Sequence, residues 1–310
     1  MLQRAAIRTA IAGLAMALLA ACGGGGGNPL DSGASGDGKA PAKVTSITVG
    51  SAKFAESELL AEMYAQALQA KGLTVKKQLN IGQREAYIAA IKDGSVDVLP
   101  EYTGAALDYF KKGAETGDAD ATYASLKQAL PSGLELLDKS PAADEDTVVV
   151  TKATADKYHL KSIADLKPVA KDLVAGGGAE FKIRRSGLAG MKDVYGVEFK
   201  EFKTLDSGGP LSLQALKSNQ IQVTNFFTTQ SVIKENNLVE LQDPKLILPP
   251  NNVVPLIRTD HKDSTVADAL NAISAKLTTE ELTDLVKRVE VGKERSEDVA
   301  KEWLTKNSLV

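Results

Sequence analysis

The sequence predicts an α/β protein of two lobes, each a mostly parallel sheet flanked by helices. Strand-like and helix-like patterns alternate between residues 47 and 99 and again from residue 147 onward. About 265 residues follow a low-complexity start, which is enough chain for two separate cores. An apolar run at Val253–Ile257, after two prolines, is expected to cross back to the first lobe. We therefore predict lobe 1 at residues 46–147 and 250–310, and lobe 2 at residues 148–249.

The first elements have the order β-α-β-α-β, which implies parallel strands joined by right-handed crossovers. A strand at Ile47–Gly50 precedes a helix that starts near Glu56, carries an apolar face and ends at Gly72. The later elements of this segment are a strand at Leu73–Leu79, a helix at Gln83–Asp93, a strand at Val96–Leu99 halted by Pro100, and a helix at Tyr123–Leu130.

The second set of elements also alternates between strand and helix patterns. It comprises a strand at Thr147–Thr151, a strand at Asp172–Ala175, a glycine-rich turn at Gly176–Gly178, a helix near Leu188–Tyr195, a strand around Phe199–Phe202, a helix at Pro210–Lys217, a strand at Ile221–Phe226 and a helix from about Thr229.

Three helices are predicted after Ile257, each with an aliphatic stripe that indicates a core-facing surface. Thr278 and Glu281 have the spacing of a capping box at the start of the middle helix. Ser296 is expected to cap the last helix. The single tryptophan, Trp303, lies on the apolar face of that helix, so we expect it to pack in the core.

Residues 1–21 have the layout of a secretory signal peptide, with Arg4 and Arg8 ahead of an apolar run at residues 10–21. That run is about a dozen residues, shorter than the roughly 20 that a membrane-spanning helix needs. Cys22 follows Leu-Ala-Ala, which resembles the lipobox of bacterial lipoproteins and implies a lipidated cysteine. The alternative is an ordinary signal peptide whose cysteine is incidental. Residues 22–45 are rich in Gly, Ser, Ala and Pro and should form a flexible tether.

Composition and missing motifs exclude several function classes. Thirty-seven basic against 40 acidic residues leave no basic field for a nucleic-acid partner. One cysteine excludes an intrachain disulfide and a thiolate-rich metal or iron–sulfur site. The two histidines, His159 and His261, stand in charged stretches typical of a surface, and no nucleotide, zincin or serine-hydrolase signature is present. We therefore predict no enzyme activity, no cofactor and no metal.

Candidate ligand residues stand where predicted strands end, which is where open α/β sheets place their clefts. Lys53 and Phe54 follow the first strand, Tyr102 follows the third, Arg184 follows the glycine-rich turn, and Phe227 ends a later strand. Two lobes with such groups facing each other have the geometry of a binding protein that closes about a hinge. The alternative interpretation is that the charges are surface residues and the phenylalanines belong to the core.

Residues 46–310 resemble the substrate-binding proteins of quaternary-amine ABC importers, which take up glycine betaine, choline or proline as osmoprotectants. The likeness is greatest to actinobacterial lipoprotein forms. The motifs that carry it are Val49-Gly-Ser-Ala-Lys-Phe54, Pro100-Glu-Tyr-Thr-Gly104, Glu180-Phe181 with Arg184, Ser186 and Gly187, Ala215-Leu-Lys217, and Pro249-Pro250. The resemblance implies the type II periplasmic-binding-protein fold. It also implies a monomer outside the cytoplasm, anchored to the cell membrane through Cys22, that hands a small ligand to a permease driven by a separate ATPase.

The resemblance further implies a ligand site. Lys53 and Arg184 match the residues that hold the ligand carboxylate, where charge-assisted hydrogen bonds are strong. Tyr102 matches one tyrosine of the cage that surrounds a trimethylammonium group. The other three cage positions fall on Val148, Phe227 and Asn251, so the cage is reduced, and Asp146 matches an aspartate beside it. With Phe54, the predicted ligand residues are Lys53, Phe54, Tyr102, Asp146, Arg184, Phe227 and Asn251.

Three alternatives stay open at this point. The first is a transport protein of the same class with a different small ligand, because two missing rings weaken quaternary-amine binding. A tethered enzyme or sensor is a further alternative, since a fold does not determine function. The last is a structural or adhesive envelope lipoprotein that binds no small ligand.

Overall fold

The computed structural model describes residues 43–114 and 117–310. The predicted signal peptide, Cys22 and nearly all of the tether therefore lie outside the described residues. The ten strands are β1 Ser46–Gly50, β2 Thr74–Gln78, β3 Val98–Tyr102, β4 Leu134–Leu136, β5 Asp146–Thr151, β6 Val174–Gly177, β7 Glu201–Thr204, β8 Val223–Phe227, β9 Leu238–Leu241 and β10 Val253–Arg258.

The helices of the described residues flank these strands. They are α1 Ala55–Ala70, α2 Arg84–Asp93, α3 Thr103–Phe110, α4 Ala119–Ala129, α5 Lys152–Tyr158, α6 Ala179–Ile183, α7 Leu188–Gly190, α8 Pro210–Lys217, α9 Val232–Glu235, α10 Ser264–Lys276, α11 Thr279–Glu290 and α12 Ser296–Lys306. Short 3₁₀ turns cover Ile163–Leu166, Ala170–Asp172 and Thr259–His261, and a π-helical turn covers Met191–Tyr195.

The strands form two five-stranded sheets with matching topology, which confirms the prediction of a two-lobed α/β fold. The first sheet has the order β2-β1-β3-β10-β4 and the second has the order β7-β6-β8-β5-β9. We call the first sheet with its helices lobe 1 and the second sheet with its helices lobe 2. The strands of lobe 1 come from residues 46–136 and 253–258, and those of lobe 2 come from residues 146–241. Strand β5 starts at Asp146, two residues before the predicted start of lobe 2 at residue 148. The predicted residue bounds of the two lobes stay a prediction.

The sheets are mixed, whereas the sequence predicted mostly parallel ones. In each sheet two strand pairings are parallel and two are antiparallel. The antiparallel pairings all involve β5 or β10, the first strand after each crossing between the lobes. The other strands have their carboxyl ends at the cleft. Because β5 and β10 enter their sheets from the cleft, they run in the opposite direction and make each sheet mixed.

Strand β3 continues through Pro100, so the prediction that this proline halts the strand is wrong. Pro100 lies opposite Pro255 in the antiparallel pairing with β10. In an antiparallel ladder every second residue pair exchanges no backbone hydrogen bonds. Two prolines that face each other in such a pair therefore cost no hydrogen bond between the two strands. On the other edge, the register of β3 with β1 contains only Val98. The missing N–H of Pro100 therefore costs no ladder hydrogen bond.

Lobe 1 is built around helix α1, whose buried face contacts the three C-terminal helices. The predicted faces of those helices are confirmed, and Trp303 is buried in the same core. The capping box of Thr278 and Glu281 is present. Ser296 does not cap α12. It is instead the first residue of the helix and is buried, so Arg295 occupies the cap position.

In lobe 2 the helix predicted at Pro210–Lys217 is confirmed, whereas the helix predicted from Thr229 starts later. The helix expected from Thr229 is the single turn α9, which starts at Val232. Thr229 is held outside it, because its backbone N–H donates to Asp144 Oδ1 at 3.2 Å. Among the described residues no helix is both long and apolar enough to span a membrane.

Candidate functional site

A cavity lies between the two lobes, lined by residues at the ends of β3, β5 and β8. Its volume is about 70 Å³, several times the roughly 10–15 Å³ that one water molecule needs. Two larger depressions, of about 360 Å³ and 530 Å³, each share wall residues with this cavity and none with each other. The three together form one cleft between the lobes.

All seven predicted ligand residues lie on the wall of this cavity, namely Lys53, Phe54, Tyr102, Asp146, Arg184, Phe227 and Asn251. Their part in binding stays a prediction. Val148, at a predicted cage position, is fully buried in the core of lobe 2 and is absent from the cavity wall. It lies two residues further along β5 than Asp146.

Three aromatic rings stand side by side on the wall and bridge the lobes. Phe54, between β1 and α1, has its ring centroid 6.1 Å from that of Tyr102 and 5.9 Å from that of Phe227. The planes of Phe54 and Phe227 are inclined by only 17°. Because Phe227 ends β8, this stacked pair joins lobe 1 to lobe 2. Ring faces attract cations, so the row offers a surface for a positively charged group.

Asp146 lies at the same end of the second sheet, directly opposite Phe227 in the register of β5 and β8. Its Oδ1 accepts a hydrogen bond of 3.2 Å from the side-chain amide of Asn225. Burial raises the pKa of Asp146, although the positive charge of Arg184 opposes this shift. A carboxylate at this position adds negative charge to the surface that the aromatic rings offer to a cation.

Arg184 directly follows α6 and reaches across the cleft to lobe 1. Its Nη2 lies 3.6 Å from Glu85 Oε1, outside hydrogen-bond distance. This nitrogen is buried and has no hydrogen-bond partner in the part of the chain that the structure describes. A ligand carboxylate at this end of the cavity is the natural acceptor for it.

Lys53 and Asn251 complete the predicted set. Lys53 is exposed and lines both the cavity and the depression of about 530 Å³. Asn251 is buried, and its Oδ1 accepts a hydrogen bond of 2.8 Å from the backbone N–H of Ala105 in the first turn of α3. Asn251 therefore holds the start of this helix as well as lining the cavity.

Sequence reasoning missed Arg84, which also lines the cavity. Its Nε and Nη2 donate to the carboxylate of Glu101 at 3.0 and 2.9 Å, and the Tyr87 hydroxyl donates to the same carboxylate. Glu101 is fully buried. Burial disfavours the charge on Arg84, but the attraction of Glu101 outweighs it and raises the pKa of Arg84. Glu101 of the Glu-Tyr-Thr-Gly motif was the available signal for Arg84. A carboxylate buried at the end of a strand needs a cation beside it, and Arg84 is that cation.

Sequence reasoning also missed a buried carboxyl pair that bridges the lobes. The Thr229 hydroxyl of lobe 2 lies 2.6 Å from Glu56 Oε2 of lobe 1 and 2.9 Å from Asp144 Oδ1. The Tyr102 hydroxyl donates to the other oxygen of Glu56 at 2.7 Å. One threonine hydrogen serves only one carboxylate, so the second contact requires that one carboxyl group of the pair be protonated.

The electrostatics of this pair agree with a shared proton. Burial raises the pKa of Glu56 from 4.5 to about 7, although hydrogen bonds from Thr229 and Tyr102 oppose the shift. Burial and the nearby charge of Glu56 also raise the pKa of Asp144 well above its ordinary value. A proton held by the pair removes the repulsion between two buried negative charges.

Neither histidine lies at the cavity. His159 ends α5 in a left-handed conformation, and His261 contacts Asp260 and Asp97. Over residues 43–114 and 117–310 no cluster of three or more His, Cys, Asp or Glu side chains has the arrangement of a metal site.

Comparison with known proteins gives a consistent result. The family described as the substrate-binding domain of ABC-type glycine betaine transport systems matches residues 45–306. A glycine-betaine-binding protein of Pseudomonas aeruginosa is 28% identical over 284 residues, which cover 87% of this chain and 90% of the relative. The carnitine transport binding protein OpuCC of Listeria monocytogenes is 26% identical and covers 84% of this chain and 87% of its own length.

A solved structure supports the fold. The crystal structure of a glycine betaine/carnitine/choline ABC transporter protein superimposes with a TM-score of 0.67 at 23% identity, covering 85% of this chain and 99% of that one. The family consists of solute-binding proteins, so the predictions of a solute-binding role and of no enzyme activity are confirmed. From residue 45 to residue 306, this chain belongs to the family of substrate-binding domains of ABC-type glycine betaine transport systems.

Proposed function

We propose that this protein captures a small zwitterion in the cavity between its lobes and delivers it to an ABC permease. The carboxylate of the ligand contacts Arg184 and Lys53, and its cationic end faces Phe54, Tyr102, Phe227 and Asp146. The observation that carries the proposal is the joint placement of these cationic, aromatic and acidic side chains on the wall of one cavity. Glycine betaine or a related zwitterionic amine carries these two charges.

The reduced cage supports a second ligand class within the same transport function. Two of the four cage positions hold Asn251 and the buried Val148 in place of rings. Each ring in contact with a cation contributes about 0.5–2 kcal/mol. The loss of two rings favours a ligand that gains part of its affinity elsewhere in the cavity.

A thermal-melt screen of the purified protein tests the proposal. The compounds are glycine betaine, choline, carnitine, proline betaine, proline and a set of unrelated acids and aromatics. A ligand at 100 times its Kd adds about 2.7 kcal/mol, which should raise Tm by several degrees. A shift with amine zwitterions supports the site, whereas shifts confined to unrelated compounds would overturn it.

Arg184→Ala tests the position of the carboxylate. We expect the variant to bind the best zwitterion at least about tenfold more weakly, because it loses a charge-assisted contact. Lys182→Ala is the matched control, since Lys182 is an exposed cation on α6 that lines neither the cavity nor the two depressions. Equal affinities of the two variants, measured by calorimetry, would contradict the assignment.

We also propose that residues 1–21 are a signal peptide and that Cys22 carries a lipid that holds the protein on the outer side of the cell membrane as a monomer. The support is the sequence alone, namely Leu-Ala-Ala before the single cysteine. Cys22→Ser should move the protein from the membrane fraction to the soluble fraction and leave its ligand affinity unchanged. An unchanged membrane fraction would refute the lipid anchor.

A further inference from the structure

Three buried polar side-chain atoms around the cavity lack hydrogen-bond partners among the described residues. They are Asn225 Oδ1, Glu180 Oε1 and Arg184 Nη2. All three residues line the cavity. Buried polar atoms without a partner are uncommon in folded proteins, and each one calls for an explanation. Because these three residues line one cavity of a solute-binding protein, we take polar atoms of the ligand to be the partners that the three atoms lack.

The first of them is the side-chain oxygen of Asn225. Asn225 is only 4% exposed. Its amide nitrogen donates to Asp146 Oδ1, and this contact sets the direction of the amide, because a carboxylate beside Arg184 accepts hydrogen bonds. The amide oxygen therefore points away from Asp146 and must accept a hydrogen bond from elsewhere.

Gly177 keeps the surroundings of this oxygen open. A Cβ atom at Gly177 would lie 3.1 Å from Asn225 Oδ1 and 3.2 Å from a ring carbon of Phe181. Gly177 also has φ +150°, a conformation that side chains disfavour. Any larger residue at this position would crowd this oxygen.

The chemical types of the three atoms define what the ligand must supply. Arg184 Nη2 is a donor and suits a carboxylate, whereas Asn225 Oδ1 and Glu180 Oε1 are acceptors. A fully methylated ammonium group has no hydrogen to donate, so glycine betaine satisfies Arg184 but leaves both acceptors unpaired. An unpaired buried acceptor weakens binding relative to a paired one.

From these atoms we infer that the preferred ligand is a zwitterion that carries, besides its carboxylate, at least one N–H or O–H donor directed at Asn225. This inference rests on the proposed function and narrows its ligand class. It also explains why the site tolerates the loss of two cage rings, since the hydrogen bond replaces part of the ring contribution.

Two matched ligand pairs test the inference by calorimetry on the purified protein. Glycine betaine and N,N-dimethylglycine differ by one methyl group in place of one N–H. γ-Butyrobetaine and L-carnitine differ by one O–H. We expect the donor-bearing member of at least one pair to bind about tenfold more tightly or better, and the pair that responds distinguishes an N–H from an O–H.

Asn225→Leu should bring the ratio of affinities within the responding ligand pair to about one, since it removes the acceptor oxygen at nearly constant side-chain volume. Thr224→Val is the matched control. The Thr224 hydroxyl is also buried without a partner among the described residues, but it does not line the cavity. We expect the control to keep the wild-type ratio. The ratio of two affinities does not depend on how much active protein each preparation contains.

The outcomes separate the inference from the proposed function. Equal or tighter binding of the methylated member in both pairs, or an unchanged ratio in Asn225→Leu, would overturn the inference and leave the proposed function intact. No binding of any of the four compounds to wild-type protein that melts cooperatively would overturn the proposed ligand class and the inference with it.

Discussion

At the residue scale, the buried pair of Glu56 and Asp144 links the contact between the lobes to pH. Both carboxyl groups meet at the Thr229 hydroxyl, which has one hydrogen to share. Glu290 adds a further negative charge near Glu56, and burial raises the pKa of Glu290 as well. The cleft therefore holds several acidic groups that resist ionisation.

Wild-type stability should fall as the pH rises through this region. The pKa of Glu56 is raised to about 7 in the folded protein, so the folded state keeps a proton that the unfolded state releases near pH 4.5. The stabilisation is complete below about pH 4.5 and is lost as the pH rises through 7, a change of up to about 3 kcal/mol.

Glu56→Gln should flatten that dependence. The amide oxygen still accepts from Tyr102, and the amide nitrogen supplies the missing hydrogen to Thr229 at every pH. Urea denaturation at pH 5 and pH 8 measures the effect, with Glu58→Gln as a control on the same helix turn, where the side chain is less buried. Equal pH slopes for wild type and Glu56→Gln would refute the shared proton.

At the element scale, the ion pair of Arg84 and Glu101 joins helix α2 to strand β3 beside the cavity. Both side chains are buried. Breaking such a pair leaves a buried charge without its partner, which costs more than the intact pair contributes.

Arg84→Met should therefore destabilise the protein by about 3 kcal/mol at pH 7. The double variant Arg84→Met with Glu101→Gln should recover part of the stability, because no charge is then left unpaired. Chemical denaturation measures all three proteins. A double variant less stable than Arg84→Met would contradict the role of Glu101.

The element scale also shows where local pattern was sufficient. The apolar stripes of α1 and α10–α12 appear in the sequence at helical spacing, and each packs as predicted. Helix α3 was not predicted, because it follows directly on β3. Its first turn is held by Asn251, 146 residues away in the chain. A cap from a distant residue leaves no signal in the neighbouring sequence.

At the scale of the whole molecule, the lobes contact each other outside the ligand cavity as well. Lys287 of α11 in lobe 1 lies 3.0 Å from Glu235 of α9 in lobe 2. Ligand affinity depends on how much of the protein is in the closed form, so contacts remote from the ligand influence binding.

Lys287→Glu should favour the open form, since it places two negative charges opposite each other. Exposed ion pairs are weak, so we expect affinity to fall by only about two- to fivefold, with a larger radius of gyration in small-angle scattering. The charge-swapped variant Lys287→Glu with Glu235→Lys should restore both values. Failure of the swap to restore affinity would show that this contact does not govern closure.

Local patterns in the sequence predict the alternation of strands and helices, the apolar faces of the long helices and the strand ends where the candidate ligand residues lie. These features follow from local periodicity, because side chains repeat every 3.6 residues in a helix and every two in a strand. The same pattern placed Tyr102, Phe227 and Arg184 at one cleft, since carboxyl ends of strands meet there.

Other features arise only from tertiary packing, namely the strand directions of β5 and β10, the pairing of Pro100 with Pro255 and the meeting of Glu56 with Asp144 and Thr229. The burial of Val148 in the core and the unpaired side-chain oxygen of Asn225 are of the same kind. Each of these depends on residues tens to hundreds of positions apart. Burial and hydrogen bonding between such residues arise from packing, which local spacing does not encode.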